Sequence, residues 1–478
     1  MIVSMIKKYK TLSLQMRAAC WFTVANFILK GISFITVPLS TRLLSVSEYG
    51  IVSIFLSYQQ FFLLFSTFEL YLGAYQRGIL QFKNDRNRFT RALILLCNFI
   101  SAVMLFVTFL FRNIFIKLTG ANRNILLLMF LYFILLPGFN CWIARKRFDY
   151  MYNPAVIGSV AVSGIISVGT CLLVSFSSRT AENFLETTLI LEILCYLPFY
   201  IKEMFPIKRG IGQAIKTYWK YCYDFQLPLV AHSLSYFILG QADRVMIGMF
   251  VNEEKAGIYS VAYSLANVVM IFQVSINQVM QPWRYKNLEA KRYREIKITT
   301  DHTLWVTGCL IIVFILIAPE IMKCLFSESY QEAVWTIPPI AVSVFFMMMY
   351  TIFTDVESYF YRTDYIMKAS VICAVVNMIL NYIGITIWGY IACGYTTIIS
   401  YILFAFLHFL FMKKVSREAG MQEHLFNGRH LTMLGVLMML AGGVCVLSYY
   451  HSAIRFCILG ILLIFLWGRG RQLGNRDS

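Results

Sequence analysis

Charge is scarce in this chain. Asp, Glu, Lys and Arg together make up 14% of its 478 residues, and acidic residues number only 24 against 42 basic ones. Soluble domains carry about 25% charged residues, so a freely soluble globular protein is excluded. The 12 cysteines, among them Cys97, Cys171, Cys309 and Cys445, nowhere form a C-x-x-C pair. A zinc ribbon and a disulfide scaffold are thereby excluded. The six histidines (His232, His302, His408, His424, His430 and His451) never approach H-E-x-x-H spacing, and no G-x-x-x-x-G-K-[ST] loop is present. Metalloprotease and ATP-driven modules therefore fall away, no metal site is expected, and no cofactor is called for. Long hydrophilic segments are also missing: the longest, 202–224, is under two dozen residues.

What the chain has instead is hydrophobicity. Apolar residues reach 59%, aromatics 16% and mean hydropathy +0.66, the composition of an integral membrane protein. A helix needs about 20 mostly apolar residues to cross the hydrocarbon layer. Windows of that size give fourteen spans: 18–40, 50–73, 91–111, 125–143, 156–176, 184–201, 225–250, 257–281, 302–322, 334–355, 366–387, 390–412, 431–450 and 453–468. Twelve are firm and the last two form a terminal hairpin, its final member short and opened by Arg455. The first span follows a basic stretch but is too long for a signal-peptide core, so it is expected to be retained.

The basic residues fix an orientation. With the N-terminus inside, 32 Lys and Arg fall in inner segments, 8 in outer segments, and only Lys30 and Arg244 inside spans. That asymmetry predicts both termini in the cytoplasm. The net charge of +18 then reflects topology and contact with anionic headgroups, and nucleic acid is excluded as a partner.

Two short matches point to an internal duplication. Gly50-Ile51-Val52-Ser53 with Ser57 recurs as Gly257-Ile258-Tyr259-Ser260 with Ser264, an offset of 207. Arg147-Phe148-Asp149-Tyr150 recurs as Arg362-Thr363-Asp364-Tyr365, an offset of 215. Six spans separate each pair, so the halves run parallel. The expected architecture is all-α: two six-helix bundles around a central cavity. The bundles cover 1–210 and 211–413, and a cytoplasmic loop with the terminal hairpin covers 414–478.

Four segments carry a resemblance. Thr41-Arg42-Leu43-Leu44-Ser45 through Glu48-Tyr49-Gly50, Gln241-Ala242-Asp243-Arg244 through Ile247-Gly248 and Gly257-Ile258-Tyr259, Leu325-Phe326 through Tyr330-Gln331-Glu332-Ala333, and Asn377-Met378-Ile379-Leu380-Asn381 with Gly384 and Gly389 resemble the signatures of Wzx-type polysaccharide transporters. These are O-antigen and capsule repeat-unit flippases of the multidrug, oligosaccharidyl-lipid and polysaccharide exporter group. Their order and their places beside the spans match over roughly 15–412; Tyr390-Ile391-Ala392 departs where small residues are common. The resemblance implies transport of undecaprenyl-diphosphate-linked oligosaccharide across a bacterial cytoplasmic (inner) membrane in surface polysaccharide or lipopolysaccharide assembly. Membrane lipids and polymerase or assembly proteins are then partners, and the chain is not an enzyme.

The chemistry of that task can be read from the residues directly. A diphosphate and a glycan cannot cross hydrocarbon unaided, so a transporter must offer a polar, cationic path. Ionisable residues within spans are costly and are functional candidates by default. Lys30 and Arg244 open the two halves and are the candidates for holding phosphate oxygens, Arg through paired donors and Lys as a point charge. Glu69, Asp243, Asp355 and Glu357, together with Glu192 in span six, are the candidates for coupling to a proton or sodium gradient; salt bridges or helix-end charges are the alternative, favoured for Asp355 and Glu357. Pro38, Pro137, Pro198, Pro228 and Pro338-Pro339 lie within spans and bend their helices. A drug or metabolite exporter of the same fold would prefer an acidic cavity. A membrane glycan polymerase or ligase would need a long outer loop, and the outer segments here are short.

Overall fold

The computed structural model describes residues 14–205, 211–421 and 425–474. The expected basic residues Lys7, Lys8, Lys10, Lys208, Arg209 and Arg476 lie outside them. Sixteen α-helices and three short 3-10 turns follow one another, with no strand among the described residues. In chain order the helices are α1 Leu14–Leu43, α2 Val46–Thr67, α3 Ala74–Gln81, α4 Arg86–Leu110, α5 Arg112–Thr119, α6 Arg123–Phe148, α7 Tyr152–Ser175 and α8 Ala181–Met204. They continue with α9 Ile211–Phe250, α10 Glu253–Glu289, α11 Tyr293–Leu325, α12 Ile337–Tyr359, α13 Thr363–Trp388, α14 Ala392–Glu418, α15 Gly428–Leu447 and α16 Ser452–Gly474.

Twelve of these are long and apolar enough to cross a membrane: α1, α2, α4, α6, α7, α8 and α10 to α15. The expected spans over 225–250 and 453–468 fall in α9 and α16, which are not among the twelve. Helix α9 has 40 residues, about 60 Å at the α-helical rise, so it has the length. Gln226, His232, Gln241, Asp243 and Arg244 dilute its apolar character. Helix α16 has a described apolar stretch of only Ser452–Ile464.

The chain divides into two compact units, Met1–Phe237 and Ile238–Ser478, with the division inside α9. The first half of α9 belongs to the N-terminal unit because its polar groups are spent there: Trp219 Nε1 donates to the Ala92 carbonyl at 2.8 Å, and the Gln226 side chain accepts from the Ala74 amide at 3.1 Å. Each unit is built on a central helix. Helix α6 packs most extensively against α8 in the first unit, and α12 against α14 in the second. Helix α12 is buried along almost its whole length. Helix α15 packs on α11 and α12 within the C-terminal unit; Gly442 permits the approach, since a Cβ there would lie 2.8 Å from a Val342 methyl.

Local chemistry starts and stops these helices. The Ser45 and Asn252 side chains accept from the amides of Glu48 and Lys255 at the starts of α2 and α10, satisfying donors that have no intrahelical partner. These two starts are 207 residues apart, the register of the first sequence match. Ser57 and Ser264 then bond the carbonyls of Ser53 and Ser260 at 2.9 and 2.8 Å. The second match is one helical turn out of register. The equivalent turns are those at Tyr150 and Tyr361, both left-handed with φ of 53° and 57°. Each is closed by the same pair of amides, Tyr150 to the Arg147 carbonyl and Met151 to that of Lys146, Tyr361 to that of Ser358 and Arg362 to that of Glu357. The same turn also closes helices at Lys291 and Gly420, so it is a common helix end here, and the Arg-x-Asp-Tyr letters align four residues away from it.

Candidate functional site

In the N-terminal unit Lys30 lies on α1. This helix packs mainly on α7 and little else within its unit. The exposed polar residues Thr23, Asn26, Lys30 and Ser33 fall at i, i+3, i+7 and i+10, one face of a helix. The exposed apolar residues Val24, Ile28, Ile35 and Leu39 lie on the opposite side, while exposed Phe27, three residues before Lys30, borders the polar set. Lys30 is exposed and has no ion pair or hydrogen-bond partner among the described residues. An ammonium facing hydrocarbon costs several kcal/mol, about 2.5–3.5 on insertion scales. Thr23, Asn26 and Ser33 stand beside it on the same side of the helix, together with the Phe27 ring.

Glu69 lies just beyond α2, in the turn leading to α3. Phe68 and Glu69 both adopt left-handed backbone, with φ of 47° and 50°. Such conformations cost about 1–3 kcal/mol each for residues other than glycine. The surrounding contacts hold them. Ser233 Oγ donates to Glu69 Oε2 at 2.7 Å, and a Cβ added to Gly73 would come 2.5 Å from Gln226 Oε1. This helix break is therefore docked on the first half of α9 through Glu69 and Gly73.

The candidates of the C-terminal unit are buried. Asp243, on the second half of α9, is 1% exposed. Tyr259 Oη donates to one carboxylate oxygen at 2.5 Å and Thr397 Oγ1 to the same oxygen at 3.2 Å, while Asn381 Nδ2 donates to the other at 2.6 Å. Asn381 Nδ2 also reaches Asn377 Oδ1 at 3.2 Å, and Asn377 Nδ2 donates to Ser400 Oγ at 3.1 Å. Four helices, α9, α10, α13 and α14, thus converge their polar atoms on one carboxylate. Arg244, the next residue, lies over the Tyr263 ring at 4.4 Å and donates to the Gly240 carbonyl and to Gln241 Oε1. It is 7% exposed and forms no ion pair among the described residues. The expected phosphate-holding arginine is in this structure occupied by a π face and by neutral acceptors.

Asp355 is committed to an ion pair. Arg284 Nε donates to Asp355 Oδ2 at 2.8 Å, Arg284 Nη2 bonds the same oxygen, and Gln281 Nε2 donates to Oδ1 at 2.7 Å. The sequence places Arg284 in the inner segment after the eighth span. Helix α10 instead continues through Glu289 and buries Arg284 to 2% exposure, so Lys30 and Arg244 are not the only cations within membrane-length helices. Arg455, likewise buried, pairs with Glu320. Glu357 meets a group that spacing could not suggest: His408 Nδ1 lies 3.0 Å from both of its carboxylate oxygens, and neither side chain is exposed.

Within each unit the candidates stay in separate settings. Lys30 and Glu69 belong to the N-terminal unit; Asp243, Arg244, Asp355 and Glu357 belong to the C-terminal one, where Asp243, Asp355 and Glu357 each have their own partners. An exposed ammonium can meet an anion, whereas the buried carboxylates can hold or exchange cations only if their helices move.

Comparison with known proteins places the chain. The family model described as polysaccharide biosynthesis protein matches residues 16–288, and the MatE model matches residues 228–383. A protein of the Lsg locus of Haemophilus influenzae is 36% identical over 72 residues, 15% of this chain and 18% of that one. An uncharacterized membrane protein of Methanocaldococcus jannaschii is 23% identical over 208 residues, 42% of this chain and 48% of that one. The chain thus spans less than half the length of either relative. Among solved structures it is similar to the lipid II flippase MurJ in an inward closed conformation, with a TM-score of 0.69 and 16% identity over 95% of this chain and 99% of that one. It is also similar to an inward-facing multidrug resistance MATE family transporter of the MOP superfamily, with a TM-score of 0.58 and 12% identity over 84% and 96% of the two chains. At these identities the likeness establishes the fold.

Proposed function

Because the chain belongs to the polysaccharide biosynthesis protein family and has the fold of the MOP exporters, we propose that it flips a lipid-linked oligosaccharide across the bacterial cytoplasmic membrane. The cargo is an undecaprenyl-diphosphate-linked repeat unit of a surface polysaccharide, and the movement is alternating access driven by an ion gradient. The observation that carries this reading is the polar face of α1, with Lys30 at its centre on a helix otherwise dressed for lipid. A diphosphate needs a cation on its path, and an unpaired ammonium on an exposed face supplies one at little reorganisation cost. Arg244 is the second candidate, presented when it leaves the Tyr263 ring. Glu69 and Asp243 are the coupling candidates, since both are carboxylates held by neutral partners that a proton or a sodium ion could displace. The structural likeness to a lipid II flippase supports a lipid-linked cargo.

Depletion of the protein tests this directly. Lipid-linked oligosaccharide should accumulate in the inner leaflet and surface polysaccharide should fall; unaltered distribution of the lipid-linked pool would refute the proposal. Both termini lie in the cytoplasm on this reading, so cysteines at 290–292 should be labelled from the cytoplasmic side and those at 251–252 from the periplasmic side. A second reading, export of a small drug or metabolite, is favoured by the MatE match over residues 228–383. It predicts that the depleted strain gains drug sensitivity with its polysaccharide intact.

A further inference from the structure

Glu357 and His408 are a fully enclosed pair of titratable side chains in the C-terminal unit. Both are 0% exposed, on the two helices α12 and α14 that pack along each other. The imidazole is fixed in place: the Phe404 ring lies 4.7 Å from it and the Tyr350 ring 5.8 Å, measured between centroids. Its Nδ1 faces the carboxylate, and its Nε2 is buried without a partner among the described residues. Glu357 in turn has no other side-chain partner among the described residues.

Charge counting limits what this pair can hold. With no proton on the pair, a carboxylate and a neutral imidazole leave one buried negative charge; with two, a carboxylic acid and an imidazolium leave one buried positive charge. A single proton gives a neutral pair, as carboxylic acid with imidazole or as carboxylate with imidazolium, and burial favours neutrality. The charges on neighbouring helices do not change the count. On α12 and α10, Asp355 and Arg284 neutralise each other. On α13, Asp364 adds a negative potential at Glu357 but is itself held by Arg362 at 3.2 Å and Lys368 at 3.9 Å. On α14, Glu418 pairs with Arg362, Lys413 lies over Phe409 and Lys414 over Tyr365, and Arg417 is exposed. On α11 and α15, Asp301 meets His430 at 3.5 Å, and His302 and Arg429 are exposed. Tyr285, Lys286 and Glu289 on α10 flank the end of α12 near Ser358 and Tyr359, and the phenols of Tyr350 on α12 and Tyr401 on α14 stack on each other.

We propose that Glu357 and His408 form a one-proton site of the C-terminal unit, retained while α12 and α14 are packed and exchanged with water through His408 Nε2 when they part. The proton is taken from water onto the carboxylate–imidazole pair and returned to water from it, with no other bond made or broken. The site deepens the ion-coupled reading above and rests on it for the link to transport. Proton binding itself can be tested without any cargo.

The test is infrared difference spectroscopy of the purified full chain in lipid, between acid and alkaline buffer. The native protein should gain the C=O band of a buried carboxylic acid on acidification. Glu357→Gln should lose that band, and His408→Gln should shift it. Surface polysaccharide output across external pH is the second reading. One titrating group changes its loaded fraction by up to about tenfold per pH unit, and the Glu357→Gln/His408→Gln pair, which keeps hydrogen-bonding amides but cannot titrate, should flatten the native profile. If Glu357→Gln fails to insert, the His408→Gln spectrum decides, and an unshifted band overturns the site. Identical spectra for the native and doubly substituted proteins likewise overturn it. A band that responds as expected beside a double variant with the native pH profile would overturn the link to transport and leave the proton site standing.

Discussion

The two units place their candidate charges differently. In the N-terminal unit the distinctive cation, Lys30, is exposed on α1, a helix with little packing inside its unit. In the C-terminal unit Asp243, Arg244, Arg284, Asp355, Glu357 and His408 are all buried, and each side chain has a specific partner. Buried charge occurs in both units, since Arg91 and Glu203 are buried in the N-terminal one and Arg145 pairs with Glu203 at 3.2 Å; what sets Lys30 apart is its exposure without a partner among the described residues. The difference follows from packing. Helix α12 is enclosed by α10, α11, α13, α14 and α15, so a charge placed on it must be paired. Helix α1 leaves two of its faces uncovered, so a charge placed there must instead be solvated.

The contrast can be broken most severely at the Arg284–Asp355 pair. Removing one member of a buried ion pair costs about 3–5 kcal/mol, so Arg284→Ala should lower the yield of folded protein and its thermal midpoint in detergent more than any exposed substitution. Replacing both residues with apolar ones of similar volume should recover much of the loss. A smaller effect is expected at Asp243. Asp243→Ala leaves the Tyr259 hydroxyl, Thr397 hydroxyl and Asn381 amide unpaired, at about 1–3 kcal/mol for each group that finds no substitute. Asp243→Asn should cost less in the same thermal assay. Smaller again is the latch at the α2–α3 break. Ser233→Ala removes the bond to Glu69, worth about 0.5–1.5 kcal/mol, and a Glu69→Gln/Ser233→Ala cycle measures how much of that is coupling. If Ser233→Ala destabilised the protein as much as Arg284→Ala, the reading of Glu69 as weakly held would be wrong.

Which of these features could be read from the sequence depends on their range. The membrane-length helices of the first unit and α10 to α15 announce themselves as apolar runs, and the first repeat match falls on two capped helix starts, Ser45 and Asn252. The second match misleads by one turn, since the turn itself is defined by backbone conformation at Tyr150 and Tyr361 and not by the letters around them. The helix break at Phe68 and Glu69 has no glycine at the left-handed positions, so no local signal marks it; the contacts with Ser233 and Gln226 that hold it come from more than 150 residues away. The partners of the C-terminal acids are hidden for the same reason. Arg284 is 71 residues from Asp355 and His408 is 51 from Glu357. Arg284 could have been recognised had the eighth span been extended by the length that α10 reaches. His408 stood in an apolar run, where a lone histidine carries no indication of which helix it will face. Lys30 was legible because it needed no partner to be noticed, and its polar neighbours Thr23, Asn26 and Ser33 were present at helical spacing.

The central claim is that the exposed ammonium of α1 meets the cargo's diphosphate. Complementation of a deletion strain at native expression tests it, with membrane insertion checked alongside surface polysaccharide. Lys30→Ala should insert normally and abolish the polysaccharide, and Lys30→Arg should keep part of it. Normal polysaccharide from inserted Lys30→Ala would contradict the claim.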